Sequence, residues 1–346
     1  MLERPDLPDA LIVDSLEQKY GLVVSEVAFL PLGADANTAV YRAHAPGGQA
    51  YFVKLRSGAF DENAVLVPKF LHGMGLRPII APIVSQSGRP WEDMDGYRLS
   101  LYPFVDGRDG YQVALSERQW RELGATVRRI HAAAVPDDLA VRIPREGFAP
   151  RWRDATRHFL DLTRRERFAD PVAAELAAFL RDRRPEVLTL IDRAERYAAR
   201  LRAEPREFVL CHSDLHAGNL LIDGERFYIV DWDEPIFAPR ERDLMFFGGA
   251  LGFLGRSPEE EEALFRSGYG PYDVDPVALA YYRFERIVVD IAAFCEALLL
   301  SDEGGADREQ SLRYVKFNFL PGNTIDRAYA AAATIDSESA INPGEP

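Results

Sequence analysis

Two short apolar runs, 208–211 and 226–230, bracket a polar stretch in which His212, Asp214, His216 and Asn219 crowd together, with Asp231 just past the second run. Apolar runs of this length read as strands, and Asp223-Gly224 after Leu220-Leu221-Ile222 reads as a hairpin turn. The polar residues therefore sit on a loop held by a sheet. A carboxylate at Asp214 can accept or orient the proton of a substrate hydroxyl. The amide oxygen of Asn219 and the carboxylate of Asp231 are hard ligands suited to Mg²⁺. Phosphoryl transfer uses these parts, because it needs positioning and charge neutralisation more than covalent help. A metal-hydrolase cluster of His212, Asp214 and His216 is the rival, and it fits poorly, since zinc sites draw on three ligands at helical or well-separated spacing. His212 is expected to tie the loop backbone to its neighbours. His216 either lies near a transferred phosphate or only shapes the loop, and Cys211 reads as a small buried hydrophobe.

A cation must reach such a loop from elsewhere. Lysine occurs only at 19, 54, 69 and 316, so Lys54, flanked by Val53 and Leu55, stands out in an Arg-rich chain. It reads as a phosphate-gripping lysine; an edge-strand lysine that discourages aggregation is the alternative. Around it, residues 8–20 read as a helix and Gly21 to Leu32 as a strand running into a small-residue loop. There Gly33, Asp35, Asn37 and Thr38 are candidates to place backbone N–H groups near phosphate oxygens, although an ordinary hairpin turn would use the same residues. Val40 to Ala45 and residues 51–55 form a second hairpin about Pro46-Gly47-Gly48. Asp61 to Leu71 reads as a helix. Glu62 is the candidate to orient Lys54, with Asp61 a rival and the helix macrodipole a sufficient alternative reason for an acid there. Ile79 to Ser85 and Tyr97 to Leu101 complete a small antiparallel sheet.

Tyr102-Pro103-Phe104-Val105-Asp106-Gly107 then breaks the pattern, which places a hinge here and the adenine edge at Tyr102 and Phe104. Ser116 to Gln119 matches a capping box ahead of a core helix ending at His131. Helical patterns follow at 151–168, 172–182 and 186–202. A helix begins near Arg240, another spans 276–300, Asp302 to Arg308 reads as a polar loop, and 335–346 as a flexible tail. The expected division is a nucleotide-binding lobe, 1–103, and a catalytic and substrate lobe, 104–334.

Composition bounds the function. With 346 residues, 47% of them hydrophobic, the chain can bury a large core. A net charge of −14 argues against nucleic acid and anionic membranes and permits a cationic ligand. The amino-terminal residues lack a basic region followed by an apolar core, so no signal peptide is expected. Two cysteines, Cys211 and Cys295, give no disulfide framework and point to a reducing cytoplasm.

The spacing of His212, Asp214 and Asn219, followed by Asp231, resembles the catalytic loop and metal-binding aspartate of kinases. More narrowly, His212-Ser213-Asp214-Leu215-His216-Ala217-Gly218-Asn219 with Ile229-Val230-Asp231-Trp232-Asp233 resembles the aminoglycoside phosphotransferase family. The likeness extends through Gly33 to Thr38, Ala238 to Phe246 and Tyr281 to Val288, covering nearly the whole chain. It implies an α+β, protein-kinase-like two-lobe fold, MgATP as donor, and a small hydroxyl-bearing acceptor such as an aminocyclitol or aminoglycoside, with spectinomycin the first expectation. A metabolic kinase for an amino alcohol or sugar, or a non-catalytic nucleotide-binding module, are the alternatives. Ser213 stands where protein kinases keep an arginine that reads a phosphorylated activation loop, and the path from Asp231 to Glu241 is short, so a protein substrate is disfavoured. Asp243 resembles the family's helix-start aspartate that supports the catalytic loop. Asp233 and Glu234 could face a cationic amine, and Tyr272, Tyr281, Arg283, Glu285 and Asp290 could line the same cleft; solvated or salt-bridged helix positions are the alternative for each.

Overall fold

The computed structural model of the chain describes residues 3–33, 35, 37–248, 254–301 and 304–341. Its first part is α1 (Asp9–Tyr20), β1 (Glu26–Leu30), β2 (Thr38–His44), β3 (Ala50–Ser57), α2 (Asn63–Gly73), β4 (Glu92–Met94) and β5 (Tyr97–Pro103). The five strands form one antiparallel sheet in the order β1-β2-β3-β5-β4. Its inner face and α1 enclose a core containing Ile12, Leu16, Tyr41, Val53, Leu55 and Leu99. Ile79 to Ser85 does not form the strand expected of it. Pro78 and Pro82 lack the N–H a ladder needs, and Ile79 makes only an isolated bridge to Ile229, while β4 fills the sheet edge instead.

The second part contains β6 (Arg108–Asp109), α3 (Glu117–His131), α4 (Asp137–Ala140), α5 (Arg151–Arg165), α6 (Pro171–Ala203), β7 (Val209–Cys211), β8 (Leu220–Asp223), β9 (Arg226–Ile229), β10 (Ile236–Ala238), α7 (Glu241–Leu244), α8 (Pro258–Tyr269), α9 (Pro276–Leu299), α10 (Gly305–Phe317) and α11 (Thr324–Ile341). The capping box at Ser116 and Gln119 is present. The two helices expected across 172–202 are one, α6, which carries Pro185 in its interior. Apolar packing of Leu176, Leu180, Val187, Leu190 and Ile191 on both sides of Pro185 holds the helix through the hydrogen bond the proline forfeits. Helix α10 starts inside the expected loop at 302–308, and α11 runs into the segment expected to be a tail. Residues 34, 36, 302–303 and 342–346 of those loop and tail expectations lie outside the described residues.

Helix α2 follows the second part, not the first. Its Val67 and Leu71, with Leu76 and Ile79 after it, pack in the large core alongside Leu123, Val127 and Leu220. Helices α3 and α8 cross at Gly124 and Gly268. A Cβ at either glycine would collide with the other helix's backbone, at Phe265 and at Arg121 respectively. This close crossing sets His131 and Tyr269 side by side behind the loop at 212–219. Among the described residues, no helix is long and apolar enough to cross a membrane.

Candidate active site

The polar loop is suspended between two small sheets. Strand β7 pairs antiparallel with β10 on one side, and β8 pairs with β9 on the other, so both ends of 212–219 are fixed by strands. Asp243, fully buried at the start of α7, accepts the backbone N–H of Ser213 (2.7 Å) and of His212 (3.0 Å). The same carboxylate meets His131 Nε2 at 3.0 Å, and His131 Nδ1 meets the Tyr269 hydroxyl at 2.8 Å. Ser213 has φ of +77°, in the left-handed region that a non-glycine residue adopts at a cost. It is held there by its N–H on Asp243 and by its hydroxyl, which donates to the Glu234 carbonyl (2.7 Å). His212 donates from Nε2 to the Val230 carbonyl (3.0 Å) and accepts the Asp214 N–H on Nδ1 (3.2 Å). Both ring nitrogens are therefore spent on backbone, and neither remains for a metal.

Asp214 sits at the centre of what this scaffold presents. Asn219 donates its amide to the Asp214 carbonyl (2.8 Å) and to Oδ2 (3.2 Å), which turns its own amide oxygen away from Asp214. His216 Nε2 lies 3.4 Å from Oδ2, and His216 Nδ1 accepts the Gly218 N–H (3.0 Å) and faces the Tyr111 hydroxyl (3.2 Å). Burial pushes the Tyr111 hydroxyl up to about 12, so it remains a donor at neutral pH. Arg286 on α9 pairs with Asp214 Oδ1 and donates from Nε to Asp290 Oδ1 (2.9 Å). Burial raises the Asp214 carboxyl, but Arg286 and His216 more than offset it and hold it well below the ordinary carboxylate range. It is an ionised group that orients and attracts, rather than a strong base.

Lys54 reaches this loop from β3. Its ammonium lies 2.6 Å from Asp233 Oδ1 and 3.0 Å from Asp231 Oδ1, joining residues 177 and more positions apart. Lys54 lowers the Asp231 carboxyl, whereas burial, together with the neighbouring Asp231, raises that of Asp233 in spite of Lys54. Asp231 also has a positive φ, +64°. Along the sheet edge, Gly33 (φ +85°), Asp35, Asn37 and Thr38 form the turn into β2, closed by Asp35, which accepts the Asn37 N–H (2.9 Å) and the Thr38 hydroxyl (2.9 Å). Tyr102 and Phe104 lie where β5 leaves the sheet: Tyr102 packs edge-on against Phe52, and the Arg42 guanidinium covers Phe104 at 4.2 Å.

Several expected site residues are placed elsewhere. Glu62 makes no ion pair with Lys54: it stands at the start of α2, which belongs to the helical core, and it pairs with Arg142 at 3.2 Å. Glu285 is buried in an ion pair with Arg153 (2.6 Å), and Tyr281 is buried beside it against Phe148, so both are core residues rather than cleft residues. Arg283 is turned onto the Met245 and Phe247 carbonyls (3.4 and 3.2 Å), and Tyr272 packs on Tyr269 and under Arg266. Glu234 is exposed next to Asp233. Conversely, Arg286 and Tyr111 touch the central groups without having been singled out. Each reaches the loop from a distant helix or turn, and no local spacing marks them.

Comparison with known proteins fits this geometry. The profile of the phosphotransferase enzyme family (APH) matches residues 28–282. Spectinomycin phosphotransferase APH(9)-Ia, solved in complex with ADP and spectinomycin, is 34% identical over 94% of this chain and 99% of its own, with a TM-score of 0.87. Its AMP-bound complex gives 33% identity, the same coverage and a TM-score of 0.83. The amicoumacin kinase hAmiN, solved with AMP-PNP and Ca²⁺, shares the fold at 15% identity over 90% of this chain and 92% of its own, with a TM-score of 0.60. A search of curated protein sequences finds no match. A family match over most of the chain, on a kinase-like α+β fold with a lysine brought onto the loop aspartates, means that this chain belongs to the phosphotransferase enzyme family.

Proposed function

We propose that the chain transfers the γ-phosphoryl group of MgATP to a hydroxyl of a small cationic aminocyclitol or aminoglycoside, spectinomycin first among them. The observation that carries this reading is the convergence of Lys54 on Asp231 beside the Asp214–Asn219 pair. Asp214, ionised and fixed by Asn219, Arg286 and His216, orients the acceptor hydroxyl and draws its proton. His216 stands beside it at the position of the transferred group. Asn219 and Asp231 offer oxygen ligands of the type Mg²⁺ takes, and Lys54 neutralises phosphate charge. Bound MgATP supplies the phosphoryl group and a metal that spreads its developing charge. Gly33, Asp35, Asn37, Thr38, Tyr102 and Phe104 frame the nucleotide, while the exposed Glu234 is the candidate left for the acceptor side. His212 and Asp243 support the loop.

Residues 1–103 would then be the nucleotide lobe and 104–334 the catalytic one, in a chain working in the cytoplasm, where the buried thiols of Cys211 and Cys295 stay reduced. The test is incubation with MgATP and a panel of spectinomycin, aminoglycosides, amino alcohols and sugars, with and without Asp214→Asn. The expected result is ADP and spectinomycin heavier by one phosphate, dependent on Asp214. Turnover confined to an amino alcohol or sugar replaces the acceptor, and the absence of any Asp214-dependent ADP ends the kinase reading.

A further inference from the structure

We infer that Arg56 is a second phosphate-binding cation beside Lys54, and that Asp233 is the carboxylate which holds both cations in place until phosphate oxygens take them over. This rests on the nucleotide reading above. Lys54 and Arg56 are two apart on β3 and so project from one face of the sheet. Both reach the same carboxylate: Lys54 Nζ is 2.6 Å from Asp233 Oδ1, and Arg56 Nη1 is 3.8 Å from Oδ2. A phosphate group offers the same pair of anionic oxygens with more charge.

Arg56 is also joined to the loop that frames the nucleotide. It pairs with Asp35 and donates to Thr38 Oγ1 (3.0 Å), its register partner on β2. Its Nε donates to the Ala59 carbonyl (3.3 Å), which sets the plane of the guanidinium. A guanidinium fixed in this way presents a fork suited to two oxygens of one phosphate. Its place next to the loop, one step along β3 from Lys54, puts it toward the β- and γ-phosphates rather than the α-phosphate.

Charge gives the reason for a second cation. The chain carries a net charge of −14, and Asp35, Asp231 and Asp233 all face this edge, so Lys54 alone leaves an acidic mouth for a polyanion. A bound triphosphate adds roughly four negative charges to this edge, so a second cation beside Lys54 lowers the repulsion it meets.

The experiment is a ladder of adenosine, AMP, ADP and ATP titrated calorimetrically into wild type, Arg56→Gln, Arg56→Lys and Asp233→Asn in metal-free buffer, with thermal unfolding as the control for folding. The expected result for Arg56→Gln is a loss of about tenfold or more for ADP and ATP, less than about threefold for AMP, and none for adenosine. Arg56→Lys recovers part of the loss, and Asp233→Asn binds ADP more tightly than wild type because no carboxylate competes. An equal loss along the whole ladder makes Arg56 a support of the loop through Asp35 and overturns the inference, as does no loss at all or weaker ADP binding by Asp233→Asn. Failure of the wild type to bind any adenine nucleotide overturns the nucleotide reading itself, a result distinct from these.

Discussion

The loop at 212–219 and the sheet edge facing it are built in opposite ways. The loop hangs on buried, neutral-to-charged hydrogen bonds: Asp243 is 0% exposed and accepts from two backbone N–H groups and His131, while His212 spends both ring nitrogens on backbone. The sheet edge is held by ion pairs partly open to water: the Asp231 side chain that meets Lys54 is 50% exposed, and Asp35, which pairs with Arg56 within the edge itself, 39%. Buried bonds to a charged group are costly to break, whereas exposed pairs exchange partners at little cost. The loop is thus a fixed template, and the pairs made by Lys54 and Arg56 are the ones that exchange at little cost.

The comparison breaks most visibly at its chemical centre. Asp214→Asn keeps the shape of the loop and removes the charge, and turnover is expected to fall by about a thousandfold or more, with nucleotide affinity changed less than about threefold. Rates of ADP release and calorimetric titration check both halves, and retention of a tenth of the activity would deny Asp214 its role. Asp243→Ala attacks the template itself. It leaves the His212 and Ser213 N–H groups and His131 without their buried acceptor, at about 3–5 kcal/mol of unfolding free energy. Urea unfolding measures this, and a loss below about 1 kcal/mol would mean the loop does not depend on that clamp.

Lys54→Met makes the complementary test on the sheet edge. The unfolding free energy is expected to move by less than about 1 kcal/mol, since the pairs it breaks are partly exposed, while nucleotide affinity falls by about tenfold or more. A stability loss as large as that of Asp243→Ala would erase the contrast between the two regions.

How far the sequence could be read follows the same division. The loop stood out because its polar residues lie within one short stretch between two strands, and Lys54 because lysine is scarce. Asp243 was legible only through family likeness. The partners that come from afar were not. Arg286 reaches Asp214 across 72 positions, and nothing in the spacing of α9 separates it from Glu285, which faces the core and pairs with Arg153. Glu62 was misplaced because a helix start explains an acid equally well, and because only the packing of Val67 and Leu71 shows which core α2 joins. The gap expected between 182 and 186 is one that tertiary packing closes across Pro185, whereas Pro78 and Pro82 keep Ile79 to Ser85 from forming the strand expected of it.

The smallest expected effect tests whether loose attachment is a property of the whole first part or only of the edge that carries Lys54 and Arg56. Glu92 on β4 is buried, and its carboxylate accepts from Ser85 Oγ, Ser87 Oγ and Arg89 Nη2, each at 2.6 Å. Burial raises this carboxyl, but the two serines and Arg89 lower it by more, so it titrates below the usual glutamate range. A carboxyl depressed in the folded state contributes stability that is fully present above its unfolded value and is lost as pH falls through its folded value. The wild-type unfolding free energy is therefore expected to lose about 1 kcal/mol through Glu92 as pH drops from 6 to below 4. Glu92→Gln cannot titrate, so its acid-induced decline is shallower by that amount, although the variant is weaker at neutral pH. Urea midpoints at both pH values decide the matter. Parallel declines would place Glu92 with the exchangeable pairs of that edge, and a shallower decline in the variant places it with Asp243 as a buried clamp, confining the loose attachment to Asp35, Arg56, Lys54 and the carboxylates they share.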